Sequence, residues 1–80
     1  MDEISKFLRK IPKRYRLAVK SLIRRLIARS FEGLDIKKLT GFTNLYRART
    51  GQYRILFYDF GSHVEIRAIR KRDESTYKNL

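Results

Sequence analysis

The sequence predicts an α+β domain in which an N-terminal antiparallel helical hairpin packs on one face of a twisted antiparallel sheet with three visible strands. In the first 29 positions, apolar residues recur about every 3.6 residues, which is typical of amphipathic helices. From Leu45 onward they recur at every second residue, which is typical of strands. Eighty residues, 42% of them hydrophobic, suffice for a single domain (residues 1–80) with a small core.

The two predicted helices are separated by Pro12, the only proline. Asp2 is a suitable N-cap for a short first helix, whose apolar residues Ile4, Phe7, Leu8 and Ile11 follow helical spacing. The second helix runs from residue 13 to about residue 29. Its apolar stripe consists of Tyr15, Ala18, Val19, Leu22, Ile23, Leu26 and Ile27. Because the second half of the chain offers a sheet that needs covering, we expect this stripe to face the core rather than a membrane surface.

The strands are predicted over residues 45–50, 53–60 and 63–69, after a connector at residues 31–43. Gly51-Gln52 and Gly61-Ser62 join them, and both pairs suit two-residue type II′ hairpins. The first turn then pairs Arg49 with Arg54 and Arg47 with Leu56. The second turn predicts four pairs: Phe57 with Ile66, Leu56 with Arg67, Ile55 with Ala68, and Arg54 with Ile69.

Side-chain alternation divides these strands into two faces. One face forms a core and holds Tyr46, Ala48, Ile55, Phe57, Val64, Ile66 and Ala68. The other holds Arg47, Arg49, Arg54, Leu56, Tyr58, Arg67, Ile69 and Lys71. Five cations therefore converge with no acid among them except Glu65 further out. Guanidinium groups match phosphate oxygens in pairs, so we expect an anion site on this face.

Composition restricts the possible partners and chemistry. The 20 Lys and Arg residues against 8 Asp and Glu give a net charge of +12, which favours a nucleic acid, an anionic membrane surface or an acidic protein as partner. The absence of Cys and the single His exclude a disulfide scaffold, a thiol nucleophile and a Cys/His zinc site. No apolar run is long enough to span a membrane and no signal peptide is visible, so we expect a soluble cytoplasmic protein without a membrane partner.

Several motifs resemble the RelE/ParE superfamily of bacterial and archaeal toxins over residues 13–80. They are Leu39-Thr-Gly, Leu45-Tyr-Arg-Ala-Arg, Gly51-Gln-Tyr-Arg-Ile-Leu-Phe-Tyr, Ile66-Arg-Ala-Ile-Arg-Lys-Arg and the late Tyr77. The resemblance implies two helices on a twisted antiparallel sheet. RelE-type members cut messenger RNA in the ribosomal A site and are restrained by a cognate antitoxin, whereas ParE-type members inhibit DNA gyrase. Relatives usually begin with a strand before the first helix, and here we expect that strand to be missing or to lie upstream.

The resemblance implies a set of catalytic residues: Arg47, Arg49, Arg54, Lys71 and Tyr77. Arg72 competes with Lys71 for the aligned basic position. The candidate RNA-binding residues are Arg67, Arg70, Arg72 and Tyr58, the last because its ring can stack on a base. His63 lies at a turn and is not expected to take part.

The expected reaction is metal-free attack of the ribose 2′-OH on the adjacent phosphate, with no metal and no cofactor. Arginine stays protonated, so Arg47, Arg49 and Arg54 can only stabilise charge and orient the substrate. Tyr77 and Lys71 are the candidate proton carriers, because surrounding cations favour the tyrosinate and the neutral amine. We expect the antitoxin to bind through an acidic amphipathic segment. A ParE-like gyrase inhibitor and a plain basic nucleic-acid-binding module remain alternatives.

Overall fold

A computed structural model of the chain describes residues 3–71, which form two helices followed by four β-strands. The elements in chain order are α1 (Glu3–Arg9), α2 (Lys13–Ile27), β1 (Asp35–Lys38), β2 (Leu45–Thr50), β3 (Tyr53–Asp59) and β4 (Val64–Lys71). The strands form one antiparallel sheet in the order β1-β2-β3-β4. The expected N-cap Asp2 lies outside the described residues.

Both predicted helices form, and Pro12 separates them. The backbone N–H groups of Lys10 and Ile11 donate to carbonyls in the last turn of α1, and Pro12 then occupies the N-cap position of α2. The buried residues of α2 all belong to the predicted apolar stripe: Val19, Leu22, Ile23 and Leu26. The helix ends at Ile27, slightly earlier than predicted, and Arg29 follows with a left-handed φ of 55°. Neither helix within residues 3–71 is long and apolar enough to span a membrane.

The prediction of three strands is wrong, because a fourth strand, β1, forms inside the stretch interpreted as a connector. β1 has only four residues, and Ile36 is its single apolar member. A segment this short and polar carries little periodic signal of its own. It becomes a strand by pairing along β2, with Asp35 opposite Arg49 and Ile36 opposite Ala48.

The two hairpin turns are as predicted. Gly51 and Gly61 have φ values of +56° and +87°, the left-handed conformation that a two-residue hairpin requires at its first turn position. The first hairpin has the predicted register, including Arg49 opposite Arg54 and Arg47 opposite Leu56. The second is also correct near its turn, where Phe57 lies opposite Ile66.

Beyond Ile66 the predicted register of β4 is wrong. The ladder contains a β-bulge, so that Leu56 lies opposite Ala68 and Arg67 is the extra residue. One extra residue exchanges the two faces for the remainder of a strand. Ala68 therefore leaves the core face that was predicted for it, and Ile69 takes its place opposite Ile55. The exchange places the larger side chain, Ile69, in the core beneath the helices.

The main core lies between the helices and the sheet. Its buried members are Ile11, Val19, Leu22, Ile23, Leu26, Ala48, Tyr53, Ile55, Phe57, Val64 and Ile69. An ion pair between Arg29, just after α2, and Asp59, at the end of β3, links the two layers. Because the helices cover one face of the sheet, the opposite face is left for other contacts.

Candidate functional site

Three arginines lie on the sheet face opposite the helices, which we call the basic face. Arg49 and Arg54 are directly opposed on β2 and β3, and Arg47 is two residues before Arg49 on the same strand. Like charges placed directly opposite each other destabilise a strand pair. The predicted placement of these three arginines on one face of the sheet is confirmed.

The basic face also holds a carboxylate that sequence reasoning missed. Asp35 of β1 bridges two of the arginines: the Arg49 Nε donates to its Oδ2 at 2.8 Å and the Arg47 Nη1 to its Oδ1 at 3.3 Å. The Arg49 Nη2 is also 2.7 Å from Oδ2. The expectation that only Glu65 would be acidic in this region is therefore wrong. The alternation Leu34-Asp35-Ile36-Lys37 was the signal that could have identified this strand.

The arginines change the titration of this carboxyl group. Desolvation raises the pKa of Asp35, but the hydrogen bond from Arg49 and the charges of Arg49 and Arg47 lower it more. The net pKa of Asp35 lies below its ordinary value, so the group is ionised at neutral pH. Asp35 thus orients two guanidinium groups and neutralises part of their charge.

The basic face is packed rather than fully hydrated. Leu45, Leu56 and Ala68 are completely buried on this side of the sheet and form an apolar floor. The Arg47 side chain is only 12% exposed, whereas that of Arg49 is 46% exposed. Charged groups held near apolar surroundings interact more strongly with an anion than fully solvated ones do.

An open cleft of about 400 Å³ adjoins this floor. It is lined by Lys37, Lys38, Leu39, Thr40, Phe42, Arg47 and Arg54. Four of these residues are cations, and the Nε of Arg54 is inaccessible to water. The cleft combines positive charge with enough volume to admit an anionic group of a larger ligand.

One solved structure resembles this fold closely. A chain from the crystal structure of the RelB-RelE antitoxin-toxin complex of Methanococcus jannaschii is 32% identical in sequence, with a TM-score of 0.71. The match covers 85% of this chain and 82% of that chain. The chain belongs to the RelE/ParE superfamily. No protein-family model and no curated protein match the sequence.

The structure places Lys71 on the other side of the sheet from Arg47, Arg49 and Arg54, the three arginines that the RelE/ParE resemblance suggested. Because of the bulge, Lys71 lies opposite Tyr53 and so on the side of the sheet that faces the helices. There it lines a recess of about 190 Å³ together with Phe7 and Lys10 of the helical layer. The prediction that Lys71 shares a face with the three arginines is wrong, since a regular strand was assumed.

The remaining candidate residues of this RelE/ParE chain occupy varied positions. Arg70 takes the place opposite Arg54 that was predicted for Ile69, but its guanidinium carbon lies 5.9 Å from the centre of the Phe7 ring. Arg67 is exposed at the bulge. Tyr58 is partly buried at the far end of the basic face. Arg72 and Tyr77 lie outside the described residues.

Besides the arginines, the titratable side chains near the site include Asp35 and the two lysines of the cleft, Lys37 and Lys38. His63 is exposed in the turn between β3 and β4, with its Nδ1 3.0 Å from the Ser62 hydroxyl oxygen. Within residues 3–71, no group of three or more His, Cys, Asp and Glu side chains is arranged to hold a metal ion. In the described part of the chain, the chemistry of the basic face is that of guanidinium groups positioned by a carboxylate.

Proposed function

We propose that this chain is the toxin of a toxin–antitoxin system and that it cleaves messenger RNA in the ribosomal A site without a metal ion. The observation that carries the proposal is the placement of Arg47, Arg49 and Arg54 on one face of two neighbouring strands, with Arg47 and Arg49 oriented by Asp35. Membership of the RelE/ParE superfamily supports the same reading. RNA carries the phosphates that such a group can bind.

The proposed reaction is in-line attack of a ribose 2′-OH on the neighbouring phosphate. The 2′-O–P bond forms and the P–O5′ bond breaks, while the 2′-OH loses a proton and the 5′-oxygen leaving group gains one. Negative charge develops on the phosphate oxygens, and preorganised guanidinium groups stabilise that charge more than they stabilise the ground state. Arginine does not exchange its proton at neutral pH, so another group must move the protons. Lys71 lies on the helix side of the sheet. We assign proton transfer to Tyr77, on the strength of the RelE/ParE resemblance.

The proposed protein partner is a cognate antitoxin with an acidic amphipathic segment. A net charge of +12 favours an acidic partner, because opposite charge accelerates encounter and relieves self-repulsion. The similar solved chain comes from a complex of an antitoxin with a toxin. A purified acidic antitoxin that fails to bind the chain would contradict this part of the proposal.

Ribosome-dependent cleavage of a translated message, mapped by primer extension, tests the nuclease assignment. We expect discrete cuts with the wild-type chain and a fall in the single-turnover rate of about 100-fold or more for Arg54→Ala, because one preorganised charge-stabilising group is lost. Tyr77→Phe should reduce the rate without weakening RNA binding. Arg24→Ala is the matched control, since Arg24 is an exposed arginine on α2.

The outcomes separate this proposal from its alternatives. If the folded wild-type chain leaves messages intact on active ribosomes, the nuclease assignment is wrong. Inhibition of gyrase supercoiling in the same preparation would then indicate a ParE-like activity. If the chain binds RNA but neither cleaves messages nor inhibits gyrase, it is a binding module. If Arg54→Ala lowers only the affinity for RNA and not the cleavage rate at saturation, Arg54 binds the substrate and does not stabilise the transition state.

A further inference from the structure

Three aromatic rings stack in sequence at the end of the β3–β4 hairpin, and we call them the aromatic ladder: Tyr58, Phe60 and His63. The Tyr58 and Phe60 ring centroids are 5.8 Å apart with an interplanar angle of 18°. Phe60 and His63 have ring centroids 5.1 Å apart, at 33°. The Phe60 N–H donates to the carbonyl of His63, which holds the two ends of the turn together.

The ladder continues the basic face. Tyr58 is four residues beyond Arg54 on β3, so strand alternation places both side chains on the same side of the sheet. Arg54 and Phe60 are six residues apart, which corresponds to about 20 Å along an extended chain. Between the two ends lie the buried Leu45 and Leu56. A phosphate on Arg54 and a base on Phe60 would therefore be separated by several nucleotides of single-stranded RNA.

Packing within the chain covers only part of the central ring. Phe60 contacts Tyr58 and His63 but is still 45% exposed, and the turn beside it is exposed at Gly61 and Ser62. The exposed part of this apolar ring is available to stack on a ligand. Stacking on Tyr58 holds the ring in one orientation, which reduces the entropy that a ligand must remove on binding.

Charge differs between the two ends of this surface. Tyr58 lies opposite Glu65, which is exposed, whereas Arg49 and Arg54 lie at the other end. A carboxylate repels phosphate, so a bound RNA strand would place phosphates on the arginines and bases on the rings. Single-strand binding proteins combine these two features, a cationic track and stacking aromatic side chains.

We propose that the aromatic ladder is a stacking platform for bases of single-stranded RNA whose phosphates lie on the basic face. This inference rests on the proposed function, because it takes RNA as the ligand of the arginines. It extends the RNA site beyond the reacting phosphate to the tip of the β3–β4 hairpin, with Phe60 as the central binding residue.

Binding of the full chain to a single-stranded RNA oligonucleotide carrying 2-aminopurine tests the platform without ribosomes. The fluorescence of 2-aminopurine falls when the base stacks on a ring. We expect Phe60→Leu to weaken binding by about 5-fold or more and to reverse that quenching, because one stacking contact is lost. Phe60→Tyr should retain the affinity and the quenching of the wild type. Leu17→Ala, at an apolar position on α2 that is 74% exposed, should leave the affinity and the quenching unchanged.

Salt dependence distinguishes stacking from charge. Phe60→Leu should leave the slope of log affinity against log salt unchanged, whereas Arg54→Ala should reduce its magnitude by about 0.7. Equal affinity and quenching for Phe60→Leu and the wild type would overturn the inference. It would also be overturned if Phe60→Leu lost affinity for the antitoxin while RNA binding stayed intact. If the chain does not cleave messages but Phe60→Leu still weakens RNA binding and reverses the quenching, the proposed function is wrong and the inference about the aromatic ladder is supported.

Discussion

Replacing Asp35 by Asn tests whether this carboxylate competes with RNA for the arginines. The carboxylate contacts both Arg47 and Arg49, at 3.3 Å and 2.7 Å, and its side chain is 48% exposed. A phosphate that binds these guanidinium groups must displace it or accept a weaker interaction. The substitution therefore makes about one additional positive charge available to a bound strand.

The size of the effect follows from counterion release. For single strands, the salt slope of log affinity steepens by about 0.7 for each additional phosphate neutralised. For one additional contact, the ratio of the affinity of Asp35→Asn to that of the wild type should be about 2.6-fold larger at 50 mM salt than at 200 mM salt. We expect Asp35→Asn to bind a single-stranded RNA oligonucleotide more tightly than the wild type, with this steeper slope.

Glu3→Gln is the matched control for charge. Glu3 belongs to α1, in the helical layer on the other side of the sheet, so its replacement raises the net charge by the same amount at a different place. Affinities measured by fluorescence anisotropy across a salt series separate a local effect from a general one. If both variants shift the slope equally, or if Asp35→Asn binds more weakly, the competition between carboxylate and RNA is refuted.

Three further predictions concern stability. The pKa of Asp35 is lower in the folded state than in the unfolded chain, so the ionised carboxylate stabilises the fold at neutral pH and this stabilisation is lost as pH falls below about 4. In thermal melts, the wild type should have a higher Tm than Asp35→Asn at neutral pH, and the difference should disappear below about pH 4. Ile69→Ala should lower the free energy of unfolding in urea by about 2–4 kcal/mol, whereas Ile27→Ala, at a half-exposed site, should change it by at most about 0.5 kcal/mol. A small effect at Ile69 would contradict the bulged register. Gly61→Ala should cost about 1 kcal/mol because of its left-handed φ, and Gly61→Asn less, since Asn tolerates that conformation.

Much of the candidate site was predictable because its geometry is local. Arg49 and Arg54 are the second residue pair from a two-residue turn, so the turn type alone determines that they lie opposite each other. Arg47 follows from alternation along β2. The same reasoning failed on β4 beyond the bulge, where Ala68, Ile69 and Lys71 were assigned to the wrong faces.

Asp35 shows why the remaining part was not predictable in the same way. A four-residue strand with one apolar side chain has no stability or pattern of its own, and it exists only where a neighbouring strand offers unpaired backbone groups. Its carboxylate reaches Arg49 across 14 positions of the chain. Such a contact depends on the arrangement of the whole sheet.

The sequence by itself determined the two helices, the two glycine turns, the three arginines on one face and the excess of positive charge, because each depends on local conformation or composition. Only the tertiary structure decided that β1 joins the sheet, that Arg67 forms a bulge and that Asp35 lies between two arginines. The bulge places the larger Ile69 in the core beneath the helices, and β1 pairs backbone groups that would otherwise be unsatisfied. Both effects depend on contacts between distant segments, so the regular pattern of a single strand does not reveal them.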